Sequence, residues 1–293
     1  DTLREWLPLA LSAAITAGVA PLLFVQILYR QHFYTSNLLL GWRWLMVIPV
    51  LIAAFYLLYV LKSKRFAAFG VWVRFGVVVG IACSFLFVAF CWTTNHLLSM
   101  NESAWPDVYL TGDVVAPLMI LLPRLGLWVS GTIPTMAIMA GWQLRYYGSR
   151  PGPLGAVVSA DGLRHALTQL GRWSLAGLCL SIVFAFTYAT QLNVPIQSAI
   201  VGASGALWLI TCAVGVVLQA AGWILQLRNG CLCSRMLSMI TVGSLMTLTG
   251  TASLREVIRL ERLGLDAIVN NTREAAKAVH YALPFLKAAE KVT

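Results

Sequence analysis

Apolar runs follow one another from Trp6 to Gly250, and the few charges in this region fall mostly where a run begins or ends. The runs do not alternate with period two, so they do not read as half-buried strands. A hydrocarbon core about 30 Å thick takes about 20 apolar residues of helix to cross. That ruler places seven spans, at residues 6–29, 40–61, 69–93, 123–144, 173–191, within 196–225, and 232–250. Lipid offers the peptide groups no hydrogen-bond partners, so long unbroken runs of this kind must be helices. The expected fold is an all-α, polytopic transmembrane bundle.

Between the spans the pattern changes. Asn95, Asn101, Glu102, Pro106 and Asp107 make a polar stretch, after which residues 114–122 are apolar but too short to cross, and are expected to lie along the interface or re-enter. Pro123 suits the first turn of the fourth span. Residues 149–153 form a loop, and 161–169 read as a short surface helix. From Leu254 the pattern is amphipathic: Arg255, Arg259 and Arg262 share a helical face, Asn271 and Glu274 resemble a capping pair, and Pro284 should bend or end the last helix. Residues 1–250 are therefore read as the transmembrane domain and 251–293 as an amphipathic, polar tail.

Composition reinforces the membrane reading. Hydrophobic residues make up 59% of the 293 and charged residues 11%, against about 25% charged in soluble domains. The mean hydropathy is +0.78. The net charge of +10 is spread over span-edge loops and not gathered on one domain, which points to lipid headgroups and not to nucleic acid. Lys62, Lys64 and Arg65, then Arg145, Arg150 and Arg164, then Arg228 and Arg235 mark alternate loops as cytoplasmic. The loop after the third span has Glu102, Asp107 and Asp113 instead. This places the amino terminus inside and the carboxyl terminus outside, although it leaves the basic tail on the external face. The first apolar run is long enough to stay as a span, so it does not read as a cleaved leader. Trp6, Trp42, Trp44, Trp92, Trp105, Trp142 and Trp173 fall near span ends, where indoles anchor at an interface.

Motifs for the common chemistries are missing. The chain has no P-loop, Rossmann glycine pattern, H-E-x-x-H or G-x-S-x-G. The six cysteines have neither zinc nor iron–sulfur spacing, and no C-x-x-C-H would attach a haem. No metal ligands are assigned. Asn101 and Asn270 stand in N-x-S/T contexts on the face expected to be external.

Ionisable groups at membrane depth are costly and mark candidate function. Tyr29, Arg30, His32 and Tyr34 end the first span, Arg43 opens the second, Asn95 and His96 close the third, and Arg124 opens the fourth. In the expected topology all lie at the outer face. His32, His96, Arg43, Arg124 and Tyr34 form the candidate cofactor-binding set. Such a cluster can offer donors to a quinone's carbonyls, or two imidazoles to a haem b iron with an arginine on a propionate. Interfacial histidines with arginines snorkelling to phosphate are the plainer reading of the same residues. Gln26, Gln143, Gln191 and Gln219 can bond between helices, and the stripe Ala199, Gly202, Ala203, Ala206 and Ala213 in the sixth span would let another helix approach closely.

The segments 18–29 (GVAPLLFVQILY), Phe33-Tyr34-Thr35-Ser36 and Leu122-Pro123-Arg124 resemble parts of bacterial membrane subunits that accompany respiratory multihaem cytochromes. In such subunits a histidine shortly after the Pro-Arg pair is the expected haem ligand, whereas here Leu125, Gly126, Leu127 and Trp128 follow. The resemblance implies an inner-membrane subunit of an electron-transfer complex that passes electrons between quinol and an external cytochrome. Membrane lipid and other subunits would be its partners. Two other readings stand beside it: a transporter or channel with spans broken at Pro8, Pro21, Pro49 and Pro134, and a non-catalytic scaffold for partner subunits or pigments.

Overall fold

The computed structural model describes residues 2–113, 118–148 and 160–264. The loop at 149–153 and the tail features at Asn270, Asn271, Arg273, Glu274, His280 and Pro284 lie outside these residues. Helices account for nearly all of the described chain: α1 (Thr2–Leu28), α2 (Arg30–Leu40), α3 (Trp42–Leu45), α4 (Val47–Lys62), α5 (Val71–Ser99), α6 (Trp105–Thr111), α7 (Leu118–Gly148), α8 (Ala160–Thr190), α9 (Val194–Val201), α10 (Ala206–Asn229) and α11 (Ser234–Leu263). No strand occurs among the described residues.

Seven helical stretches are long and apolar enough to cross a bilayer: Pro8–Leu28, Trp42–Lys62, Val71–Ser99, Leu118–Tyr146, Gly162–Thr190, Ala206–Asn229 and Ser234–Arg262. No more than 28% of any span's apolar window is covered by the rest of the chain. Side chains such as Ile27, Trp72, Phe75 and Phe186 point outward. In water that surface would be strongly unfavourable; in lipid it is the solvent-facing surface. The chain is an integral membrane protein with an all-α transmembrane bundle.

Four local expectations change. Residues 118–122 are neither interfacial nor re-entrant but the first turns of α7, which runs on through Pro123 and Pro134. Residues 161–169 continue directly into the fifth span as α8 and form no separate surface helix. The small-residue stripe is split, because α9 ends at Val201 and α10 begins at Ala206, with Gly202 and Gly205 in the turn between. Gly205 has no room for a Cβ there, since the Ile200 and Ala199 backbone carbonyl oxygens fill the space. Finally, α11 carries Arg255, Arg259 and Arg262 on an unbroken extension of the seventh span, and Arg259 pairs with Glu256.

The prolines proposed as helix breaks do not break helices. α1 runs through Pro8 and Pro21, α4 through Pro49, and α7 through Pro134. Within a membrane, neighbouring helices and hydroxyl side chains accommodate the lost N–H. The sharp turns come elsewhere, at Tyr29 and at Gly41, whose φ of 55° and ψ of −125° suit only glycine.

The chain divides into two compact units, Asp1–Gln191 with Trp223–Leu237, and Leu192–Gly222 with Ser238–Thr293. In the first, α7 and α8 pack through glycine. The Cα of Gly177 faces Ser130, Ile133 and Pro134, and that of Gly126 faces the Phe184 ring, so close that neither position has space for a Cβ. Ser130 and Ser181 share a hydrogen bond of 2.9 Å across this contact. In the second unit α10 and α11 meet backbone to backbone at Gly215 and Gly243, and Gln219 Nε2 donates to Thr247 Oγ1 at 2.9 Å. Lipid tails are as apolar as leucine, so close van der Waals packing at small residues and interhelical hydrogen bonds must hold such helices together.

Candidate functional site

The candidate residues lie in the first unit, around α2. This helix begins after the Tyr29 bend and ends where Gly41 N–H returns to the Asn37 and Leu38 carbonyls, both at 3.1 Å. Its sequence is less apolar than a span and two-faced. Phe33, Ser36 and Leu40 are buried on one side, while Arg30, Gln31, Tyr34 and Leu38 are exposed on the other. The buried side meets the end of α5. Asn95 Nδ2 donates to Asn37 Oδ1 at 2.5 Å, Leu40 packs with Leu98 and Val108, and the Cys91 thiol donates to the Arg43 carbonyl at 3.5 Å.

Aromatic rings fill the rest of this contact. Trp44 stands edge-on to Phe33 and to Trp92, with centroids 6.2 and 5.3 Å apart. Trp105 Nε1 donates to the Leu98 carbonyl at 2.8 Å. Trp44, Trp92 and Trp105 are thus interior packing at the end of the bundle, whereas Trp42 and Trp173 are exposed as interfacial anchors would be. Charge at a span end cannot separate these two uses of an indole.

His32, Arg43, Arg124 and Tyr34 each contact neighbours of their own. His32 Nε2 meets Glu102 Oε1 at 2.5 Å, and its ring stands edge-on to Trp105 at 5.9 Å. His96 sits half-buried at the end of α5, where its carbonyl accepts from Ser99 Oγ. Arg43 lies over the Trp42 ring with Cζ 5.5 Å from the centroid, and Arg124, buried at the start of α7, lies over the Tyr188 ring at the same distance. Tyr34 stands edge-on to Phe33 and faces outward. The five lie toward one end of the first unit, and Tyr34 alone of them lines the groove between α1 and α2. Among the described residues no three of His, Cys, Asp and Glu gather as a metal site.

Tyr34 lines an open concavity of the surface. A groove of about 810 Å³ opens between the end of α1 and the exposed face of α2, bounded by Leu23, Gln26 and Ile27 on one side and by Arg30, Gln31, Tyr34, Thr35 and Leu38 on the other. Its apolar walls are Leu23, Ile27 and Leu38. Gln26, Arg30, Gln31 and Tyr34 bring amide, guanidinium and phenol groups to it. Arg30 has no carboxylate partner among the described residues. Ligand sites combine apolar walls and a few convergent polar groups in this way.

Reading the sequence as spans alone hid this groove. Arg30, Tyr34 and Leu38 recur every four residues and Leu23 precedes Ile27 by the same spacing, which is the signal of two helical faces. Assigning 30–39 to the gap between two spans left that register unread. Glu102 as the partner of His32 joins residues 70 positions apart, and nothing local announces it.

No family model matches the chain, and no curated protein or solved structure matches it either.

Proposed function

We propose that this protein is an integral membrane subunit of an electron-transfer complex whose α1–α2 groove receives a quinone headgroup at the outer face of the inner membrane. The observation that carries the reading is the groove itself: an open concavity with apolar walls and several hydrogen-bond donors. A quinone has two carbonyl acceptors on a flat apolar ring, with a long apolar tail. Arg30, Gln31 and Tyr34 supply donors for the carbonyls, and Leu23, Ile27 and Leu38 supply surface for ring and tail.

The positive-inside rule supports an external position for this end of the unit. Lys62, Lys64 and Arg65 follow α4, and Arg145, at the far end of α7, donates to Ser234 at 3.0 Å at the start of α11. Oxidation of a bound quinol would release its two protons to the external phase and its two electrons to a partner subunit. The haem alternative gains less support. The Nε2 of His32, the usual iron-ligating atom, is already engaged by Glu102.

A photoreactive quinone analogue tests the proposal on the intact chain in lipid nanodiscs. Label is expected on the α1–α2 peptide, competed by unmodified quinone, and reduced at least several-fold in Tyr34→Phe with Arg30→Ala, while His32→Ala leaves it unchanged. Label elsewhere, or label indifferent to both groove substitutions, would falsify the assignment. Co-purification with a haem-bearing or iron–sulfur partner tests the wider electron-transfer role.

A further inference from the structure

The contact of α8 with the last turns of α10 holds a group of polar atoms that the quinone reading does not use. The Cα of Gly171 faces Gln226 so closely that an added Cβ would lie 2.5 Å from Gln226 Oε1 and 2.9 Å from Leu227 Cδ2. Ser174 is one turn along α8 on the side of Gly171, and Trp223 is one turn along α10 on the side of Gln226. Ser174, Trp223 and Gln226 are each 0% exposed.

None of their polar atoms has a hydrogen-bond partner among the described residues. Ser174 Oγ, Trp223 Nε1, and both Oε1 and Nε2 of Gln226 are buried without a hydrogen bond. Ser174 is also unlike the other hydroxyl residues of its helix. Thr168, Ser181, Thr187 and Thr190 each donate back to a carbonyl three or four residues earlier, and Ser174 does not. Burying four such atoms unbonded in a low-dielectric interior is strongly unfavourable, and native structures almost always supply a partner.

We infer that the α8–α10 contact binds structural water, one or two molecules bridging Ser174, Trp223 and Gln226. The group is neutral and offers no charge to balance an ion. It presents indole, amide and hydroxyl donors together with amide and hydroxyl acceptors. A ligand that fits must both donate and accept and be small enough to sit between packed helices, and water bound by three or so polar partners has these properties. Gly171 is then required for space as much as for helix approach, because a methyl group would enter the position held by the Gln226 amide.

Infrared difference spectroscopy of the full chain in nanodiscs, in ordinary water and in water labelled with oxygen-18, tests this directly. The wild type should show an isotope-shifted O–H stretch of weakly exchanging internal water, and that band should disappear in Ser174→Ala with Gln226→Leu. Trp223→Phe, which keeps the ring and removes only the N–H, should shift the band and lower the melting temperature by a few degrees without unfolding the protein. Gln226→Leu alone should also lower the melting temperature, because it takes a partner from the water. If the same band persists in all three variants, or if Gln226→Leu leaves stability unchanged or raises it, the contact is dry and the inference fails.

Discussion

Gly215→Ala is the most informative stability test. An added Cβ would stand 2.5 Å from the Gly243 carbonyl oxygen, 2.6 Å from Thr247 Oγ1 and 2.7 Å from Thr247 N, where ordinary contact begins at 3.4 Å. Two of these neighbours are backbone atoms, so relief requires α10 and α11 to separate by roughly 0.9 Å, the difference between 3.4 and 2.5 Å. Overpacking of this kind costs about 1–3 kcal/mol. Separation also weakens the 2.9 Å bond from Gln219 to Thr247, a class of interaction that contributes about 0.6 and at most about 1.7 kcal/mol in a membrane. The expected loss is roughly 2–4 kcal/mol. Reversible unfolding in mixed micelles by titration with sodium dodecyl sulfate measures it. Gly76→Ala is the control, because nothing lies within 4 Å of a Cβ there and the helix gains up to about 1 kcal/mol of propensity. If Gly215→Ala and Gly76→Ala behave alike, glycine contact does not hold these helices together.

Other consequences can be checked in the same system. Asn95→Leu should cost about 1–2 kcal/mol by stranding the Asn37 amide, and the Asn37→Leu, Asn95→Leu double variant should recover part of that in a double-mutant cycle; additive losses would show that the two amides are uncoupled. Glu102→Ala should cost less than about 1 kcal/mol, because that carboxylate is exposed. It should still release Trp105, measured as increased acrylamide quenching, and unchanged quenching would mean that the His32 contact does not hold this segment. Gly41→Ala forces a side chain into a conformation with φ of 55° and should cost about 1–3 kcal/mol. Because Gly41 ends α2, photolabelling of the groove should fall with it; wild-type labelling would show that α2 is positioned without this turn.

The sequence by itself determined that the chain is a helical membrane protein with seven helices, among the described residues, long and apolar enough to cross a bilayer. Apolar run length against bilayer thickness is a one-dimensional property, and lipid leaves the backbone almost no choice but helix. It also gave the expectation that His32, His96, Arg43, Arg124 and Tyr34 lie at one face, because the parity of crossings assigns each span end to a side. What faces what was decided only by the tertiary structure. α2 could not be told from a loop by hydropathy, since its two faces cancel in the average. The prolines at 8, 21, 49 and 134 read equally as kinks or as passengers until neighbouring helices were in place. The pairing of Glu102 with His32, the stacking of Arg124 on Tyr188 and the facing of Gln226 by Gly171 depend on rotation about each helix axis. That rotation is fixed by close contacts at small residues and by single hydrogen bonds, both of which are summed over distant parts of the chain and leave no periodic trace in it.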